Sequence, residues 1–93
     1  MARTKVVVIA EVEDPEEWER GFRTHGDLFK SQTVKKPIDF AITGNHAAVC
    51  FKPDDLDTFM EILDSPATAE AMEFDGVKRE TVRVFVLDKQ LKV

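Results

Sequence analysis

The chain has few of the residues and runs that mark several large classes of protein. Cys50 is its only cysteine among 93 residues, which excludes an internal disulfide and a zinc site built from several cysteines. No apolar run approaches the roughly 20 residues that span a bilayer, and residues 1–6 lack the apolar core of a signal peptide, so we expect a cytoplasmic protein without membrane contact. Acidic residues outnumber basic ones by 18 to 13, and the net charge of -5 disfavours nucleic acid as a partner.

Several chemical motifs are also missing. No serine lies in a nucleophile-elbow pattern, and no glycine-rich loop is present to hold a phosphate. The two histidines, His25 and His46, fall on different predicted elements, and together with Asp39 they show no metal-ligand spacing. We therefore predict neither a metal site nor a cofactor.

The patterns that are present predict alternating strands and helices. The β-branched run over residues 5–12 is typical of a central strand. Asp14 and Pro15 predict a helix start, with an N-cap carboxylate and a proline in the first turn, and the helix is expected to continue to about residue 29 or 31. Two strands, 38–43 and 46–51, then follow around a hairpin turn at Gly44 and Asn45.

The second half of the chain repeats the helix–strand order. Apolar residues at helical spacing follow Pro53, and Ser65-Pro66 restarts a helix that is expected to stop at Gly76. Residues 81–87 are predicted to form a last, valine-rich strand. The sequence therefore predicts one α+β domain over residues 1–93, with a four-stranded antiparallel sheet and the helices on one face.

The predicted sheet has two apolar faces. Pairing Thr43 with His46 places the bulky residues of the hairpin on one face, and the first and last strands carry apolar residues on both. On the face away from the helices these are Val7, Ile9, Phe85 and Leu87. Leaving such side chains in water forfeits about 1.5–3 kcal/mol each, so we expect a second copy of the chain to cover them, with Glu11 and Arg83 able to pair across the interface. The alternative is a face that is only partly buried or is covered by the last residues.

A family resemblance rests on two segments. The pattern Trp18-x-x-x-Phe22-x-x-His25 and the segment 65–72, followed by Gly76-Val77, resemble the small dimeric α/β-barrel proteins related to antibiotic biosynthesis monooxygenases. The resemblance implies a ferredoxin-like βαββαβ fold that pairs as a dimeric α/β barrel. The superfamily includes cofactor-independent oxygenases, isomerases and haem-degrading enzymes. The asparagine and histidine that haem-degrading relatives carry on the first strand and second helix are missing, which disfavours haem degradation.

One stripe of the first predicted helix is the candidate site. At 100° per residue, four side chains fall within an arc of about 60°; they are Trp18, Phe22, His25 and Phe29. An aromatic wall with one imidazole could hold a flat apolar ligand and offer it a general base. Packing of the same side chains into an ordinary core is the competing interpretation. His46 follows the turn and is expected to be solvated, and Cys50 is expected to be a buried, inert thiol.

Three functional hypotheses remain open from the sequence. The first is a homodimer that binds a small apolar or aromatic metabolite between helix and sheet, with His25 as its polar contact. The second is a cofactor-independent monooxygenase or isomerase that uses His25 as its catalytic general base. The third is a structural or regulatory dimer without a ligand, whose helix–sheet space is filled by side chains.

Overall fold

The computed structural model describes residues 4–35 and 37–92. Residues 1–3, 36 and 93 lie outside the described part of the chain. The prediction that the chain starts without a signal peptide falls partly on residues 1–3. The elements in chain order are β1 (Lys5–Glu11), α1 (Pro15–Phe22), α2 (Gly26–Ser31), β2 (Asp39–Thr43), β3 (His46–Phe51), α3 (Leu56–Leu63), α4 (Pro66–Phe74), a 3-10 turn (Arg79–Thr81) and β4 (Arg83–Leu87). No helix in this part of the chain is long and apolar enough to cross a bilayer.

The four described strands form one antiparallel sheet in the order β2-β3-β1-β4. The β-branched strand β1 is central, as predicted, because both of its edges are paired. The hairpin register is also confirmed: Thr43 lies opposite His46, and Gly44 adopts the left-handed φ of 59° that a tight two-residue turn requires.

One face of the sheet carries the core. Val6, Val49 and Phe51 are buried beneath the helices, and Phe59 of α3 is completely inaccessible. Aromatic rings run through this layer in a continuous series of contacts, with centroid separations between 4.7 and 5.7 Å. The bulky hairpin face is therefore the face that meets the helices.

The prediction of one continuous first helix is wrong, because the chain forms two helices, α1 and α2, with a break at residues 23–25. Thr24 causes the break: its backbone N–H and its hydroxyl both donate to the carbonyl of Gly21, at 2.9 and 2.6 Å. A short polar side chain that bonds the preceding turn competes with helix propagation. His25 consequently lies at the N-cap of α2 rather than within a continuous helix.

The opposite face of the sheet is open in the single chain. Ile9, Phe85 and Leu87 are 38%, 51% and 49% exposed. Cys50 lies beside Val7 on this face. It is half-buried rather than buried, so the expectation of a buried thiol is wrong. Within one chain Glu11 and Arg83 do not pair: Glu11 lies 3.4 Å from His46, and Arg83 donates to the carbonyls of Glu80 and Val82.

Candidate functional site

A cavity of about 80 Å³ lies between the helices and the sheet. Its wall is mostly apolar and includes sheet residues Val8 and Val49 as well as Leu28 and Met72 from the helices. The four residues singled out in the sequence, Trp18, Phe22, His25 and Phe29, all line it. The break between α1 and α2 therefore does not separate them, although it changes which helix carries His25 and Phe29.

Among the described residues, the His25 side chain makes a polar contact with one other side chain in this wall. Its Nε2 lies 2.8 Å from Oδ2 of Asp75, and the two side chains are 18% and 5% exposed. The Phe29 ring stands nearly perpendicular to the imidazole, with 6.5 Å between centroids. A carboxylate on one ring nitrogen orients the imidazole and selects the tautomer that carries its proton there, which leaves Nδ1 as an acceptor.

Two glycines place Asp75. Helix α4 ends in a Schellman motif, in which Gly76 has a φ of 74° and the N–H groups of Gly76 and Val77 donate to the carbonyls of Glu73 and Met72. This ending puts Asp75 at the C-cap and turns it toward α1. A Cβ on Gly21 of α1 would lie only 2.0 Å from Oδ1 of Asp75, so the carboxylate packs where only a glycine leaves room.

Burial raises the pKa of the Asp75 carboxyl above its ordinary value of 3.8, and the charge and hydrogen bond of His25 offset only part of that rise. Oδ1 has no partner among the described residues, which adds to the penalty on the charged form. Since the folded state binds this proton more tightly than the unfolded state, Asp75 lowers the stability of the protein as the pH rises from 3.8 through the raised pKa.

A second polar pair lies in the same wall. Gln32 is 2% exposed, and its Nε2 lies 3.4 Å from the hydroxyl oxygen of Thr68, which is itself buried. Both residues line the cavity. The wall thus combines an apolar surface with two polar pairs, each of which joins α2 or its caps to α4.

Sequence reasoning missed three of these residues: Asp75, Gln32 and Thr68. A carboxylate at the C-terminal end of a helix opposes the helix dipole, so Asp75 immediately before Gly76 was a usable signal. Gln32 follows His25 by seven residues, two helical turns, which also places it on the same face. The other histidine, His46, lies away from the cavity with its side chain 70% exposed, in agreement with the expectation for a turn residue.

Comparison with solved structures identifies the fold. A Bordetella bronchiseptica protein named as an antibiotic biosynthesis monooxygenase superimposes with a TM-score of 0.74, at 14% identity over 98% of this chain and 100% of its own. SnoaB, a cofactor-independent oxygenase from Streptomyces nogalater, superimposes with a TM-score of 0.70, at 17% identity over 99% of this chain and 98% of its own. A dimeric ferredoxin-like protein from an uncultured marine organism superimposes with a TM-score of 0.56, at 11% identity over 100% of this chain and 94% of its own.

No protein-family model and no curated protein matches the sequence. The fold predicted from the resemblance is confirmed: the chain has the ferredoxin-like α+β fold of the antibiotic biosynthesis monooxygenases. At identities below 20%, the structural likeness concerns the fold, and function has to be argued from the site.

Proposed function

We propose that this chain, with the fold of the antibiotic biosynthesis monooxygenases, binds a small apolar or aromatic molecule in the helix–sheet cavity. Trp18, Phe22 and Phe29 supply the apolar wall, and His25 is the polar contact. The observation that carries the proposal is the His25–Asp75 pair, which places an oriented imidazole in a mostly apolar wall. A purely structural dimer would gain stability from filling this space instead.

The cavity can enlarge by joining a neighbouring depression. Its volume of about 80 Å³ is smaller than the roughly 150 Å³ that accommodates benzene in an engineered protein core. A neighbouring depression of about 370 Å³ shares Leu63, Met72 and Val82 with it, so these side chains form the partition between the two. Because methionine has three flexible torsions, a rotamer change of Met72 is the simplest way to admit an aromatic ring.

Removal of the imidazole tests the binding proposal. Hydroquinone, with a hydroxyl group at each end, and p-xylene, of similar shape without hydroxyls, are the probes, titrated under nitrogen into labelled protein and followed by NMR. His25→Ala should weaken hydroquinone about tenfold relative to p-xylene, because one hydrogen bond is worth about 1.4 kcal/mol. His46→Ala, at the exposed histidine, is the matched control and should leave the ratio unchanged. An unchanged ratio in His25→Ala would remove His25 from the site.

General-base catalysis is the second candidate function, favoured by the carboxylate on His25. With the proton of the neutral ring held at Nε2 by Asp75, Nδ1 can take a proton from an activated C–H or O–H group. In an isomerase the proton returns to another carbon of the same substrate. In a monooxygenase, the deprotonated substrate reacts with O₂, gains one oxygen atom and loses two hydrogens, and the second oxygen atom leaves as water.

Asp75→Asn separates this catalytic role from a structural one. In D₂O, wild-type protein should accelerate exchange of the acidic C–H protons of 2-indanone, and the variant should lose at least about tenfold of that acceleration because the imidazole is no longer paired with a carboxylate. The stability of the variant should not fall with its exchange rate. As the pH rises from 3.8 through the raised pKa of Asp75, the free energy of unfolding of the variant should increase relative to that of wild type. Denaturant titrations across this range measure the difference. Equal exchange rates would contradict the base role, and a stability difference that falls with pH would contradict the burial penalty.

The assembly we propose is a homodimer formed through the open face of the sheet. The exposed apolar side chains of Ile9, Phe85 and Leu87 support it, and one structural neighbour is named as dimeric. In that arrangement Glu11 and Arg83 are available to pair with the other copy. The cytoplasmic location and the absence of a nucleic-acid partner stay predictions from the sequence.

A further inference from the structure

Helices α2 and α4 are joined at two points, and these fix their relative direction. His25 contacts Asp75, and Gln32 contacts Thr68. His25 and Gln32 are the caps of α2 and lie seven residues apart; Thr68 and Asp75 are separated by the same number along α4. The two helices are therefore antiparallel, and the two polar pairs lie about 10 Å apart along them, at 1.5 Å per residue.

The surface between the two polar pairs is apolar. Leu28 and Phe29 of α2 and Ala71 and Met72 of α4 line the same cavity, opposite the sheet. A ligand that fills the cavity along these helices consequently meets a polar group at each end and hydrocarbon in the middle.

The orientation of the Gln32 amide follows from its neighbour. The Thr68 hydroxyl donates its single hydrogen to the carbonyl of Ile62, so its oxygen can only accept from Gln32. Nε2 of Gln32 must therefore be the atom that faces Thr68, which agrees with the contact observed. Oε1 is left as a buried acceptor without a hydrogen-bond partner in the described part of the chain.

A buried acceptor without a hydrogen-bond partner destabilises the folded protein, because it has lost its bonds to water without replacing them. Gln32 is 98% buried and lines the cavity, so a molecule in the cavity is the available source of a donor for its oxygen. A carboxylate or phosphate ligand would be repelled there, because it carries only acceptors and the other end of the cavity already holds the Asp75 carboxylate.

We propose that Gln32, held by Thr68, is a second polar subsite that accepts a hydrogen bond from the ligand. The ligand class is then an uncharged apolar molecule with a hydroxyl or amino donor at the end remote from the imidazole. This inference rests on the proposed binding function and adds a specificity-determining residue to it. Hydroquinone has the required chemistry at both ends, and p-xylene has it at neither.

The test measures the affinity ratio of these two probes in Gln32→Met, which keeps the length of the side chain and removes the amide. The variant should lose about tenfold in hydroquinone affinity relative to p-xylene, as expected for one hydrogen bond. Gln90→Met, at the exposed second glutamine, is the control and should match wild type. In wild type, the side-chain carbonyl carbon resonance of Gln32 should also shift with hydroquinone and not with p-xylene, which gives a result even if the variant does not fold.

The outcomes separate the two proposals. If both probes bind and His25→Ala changes their ratio while Gln32→Met does not, the Gln32 subsite is wrong and the binding function stands. The same conclusion follows if the Gln32 carbonyl resonance is insensitive to hydroquinone, because water would then satisfy its oxygen. If neither probe perturbs residues of the cavity wall, the binding function itself fails and the subsite fails with it.

Discussion

Gly21→Ala should break the His25–Asp75 hydrogen bond and destabilise the protein by about 1–3 kcal/mol, the range found for overpacked cores. The new methyl group would lie 2.0 Å from Oδ1 and 2.9 Å from Cγ of Asp75, well inside van der Waals contact. Asp75 is a short, buried side chain at the C-cap of α4, so it can avoid the methyl group only by turning away from the imidazole. Denaturant unfolding measures the loss of stability.

Gly26→Ala is the matched control for this substitution. A Cβ at Gly26 meets no atom of the described residues within 4 Å, and alanine in the first turn of α2 should leave stability unchanged or raise it by up to about 1 kcal/mol. NMR of the imidazole nitrogens at a pH where the ring is neutral supplies the second measurement. Wild type and Gly26→Ala should hold the proton on Nε2, and Gly21→Ala should show a mixture of tautomers. A stable Gly21→Ala protein with the wild-type tautomer would contradict the assigned role of Gly21.

Phe85→Glu should convert the proposed dimer to a monomer. Phe85 lies opposite Val7 on the open face and is 51% exposed in the single chain, so in a face-to-face dimer it becomes part of the interface. The substitution removes about 1.5–3 kcal/mol of apolar burial per subunit and places two carboxylates in the interface without partners. We expect the dissociation constant to rise at least about a hundredfold, measured by light scattering over a dilution series.

Phe74→Glu provides the comparison, since Phe74 is 79% exposed on α4 and lies on the helical side of the molecule. This variant carries the same chemical change and should remain dimeric. Dissociation in both variants, or in neither, would count against the sheet face as the interface. A wild-type protein that is monomeric at all concentrations would remove the homodimer proposal.

Local rules were sufficient to predict most of the fold from the sequence. The strands 39–43 and 46–51 were predictable because alternation and a two-residue turn fix both register and face. The stop of α4 at Gly76 followed in the same way from a backbone conformation that favours glycine. The break after Phe22 was not predicted, because it depends on the hydrogen bond that the Thr24 hydroxyl donates to the Gly21 carbonyl. That bond competes with continuation of the helix.

The candidate site was only half predictable, for a different reason. Trp18, Phe22, His25 and Phe29 all line the cavity, as their spacing predicted, although they lie on two helices rather than on one continuous stripe. The residues that give the wall its chemistry come from elsewhere: Asp75 is 50 positions from His25. Such pairings depend on how the second helical layer packs on the first, which periodicity within one segment does not encode.

The location of p-xylene on the protein tests the central claim most directly. In amide spectra of labelled wild-type protein, binding in the helix–sheet cavity predicts saturable shifts at wall residues such as Phe22, Phe29 and Met72. Saturable shifts confined to Ile9 and Phe85, or no saturable shifts at any residue, would contradict a small-molecule site between the helices and the sheet.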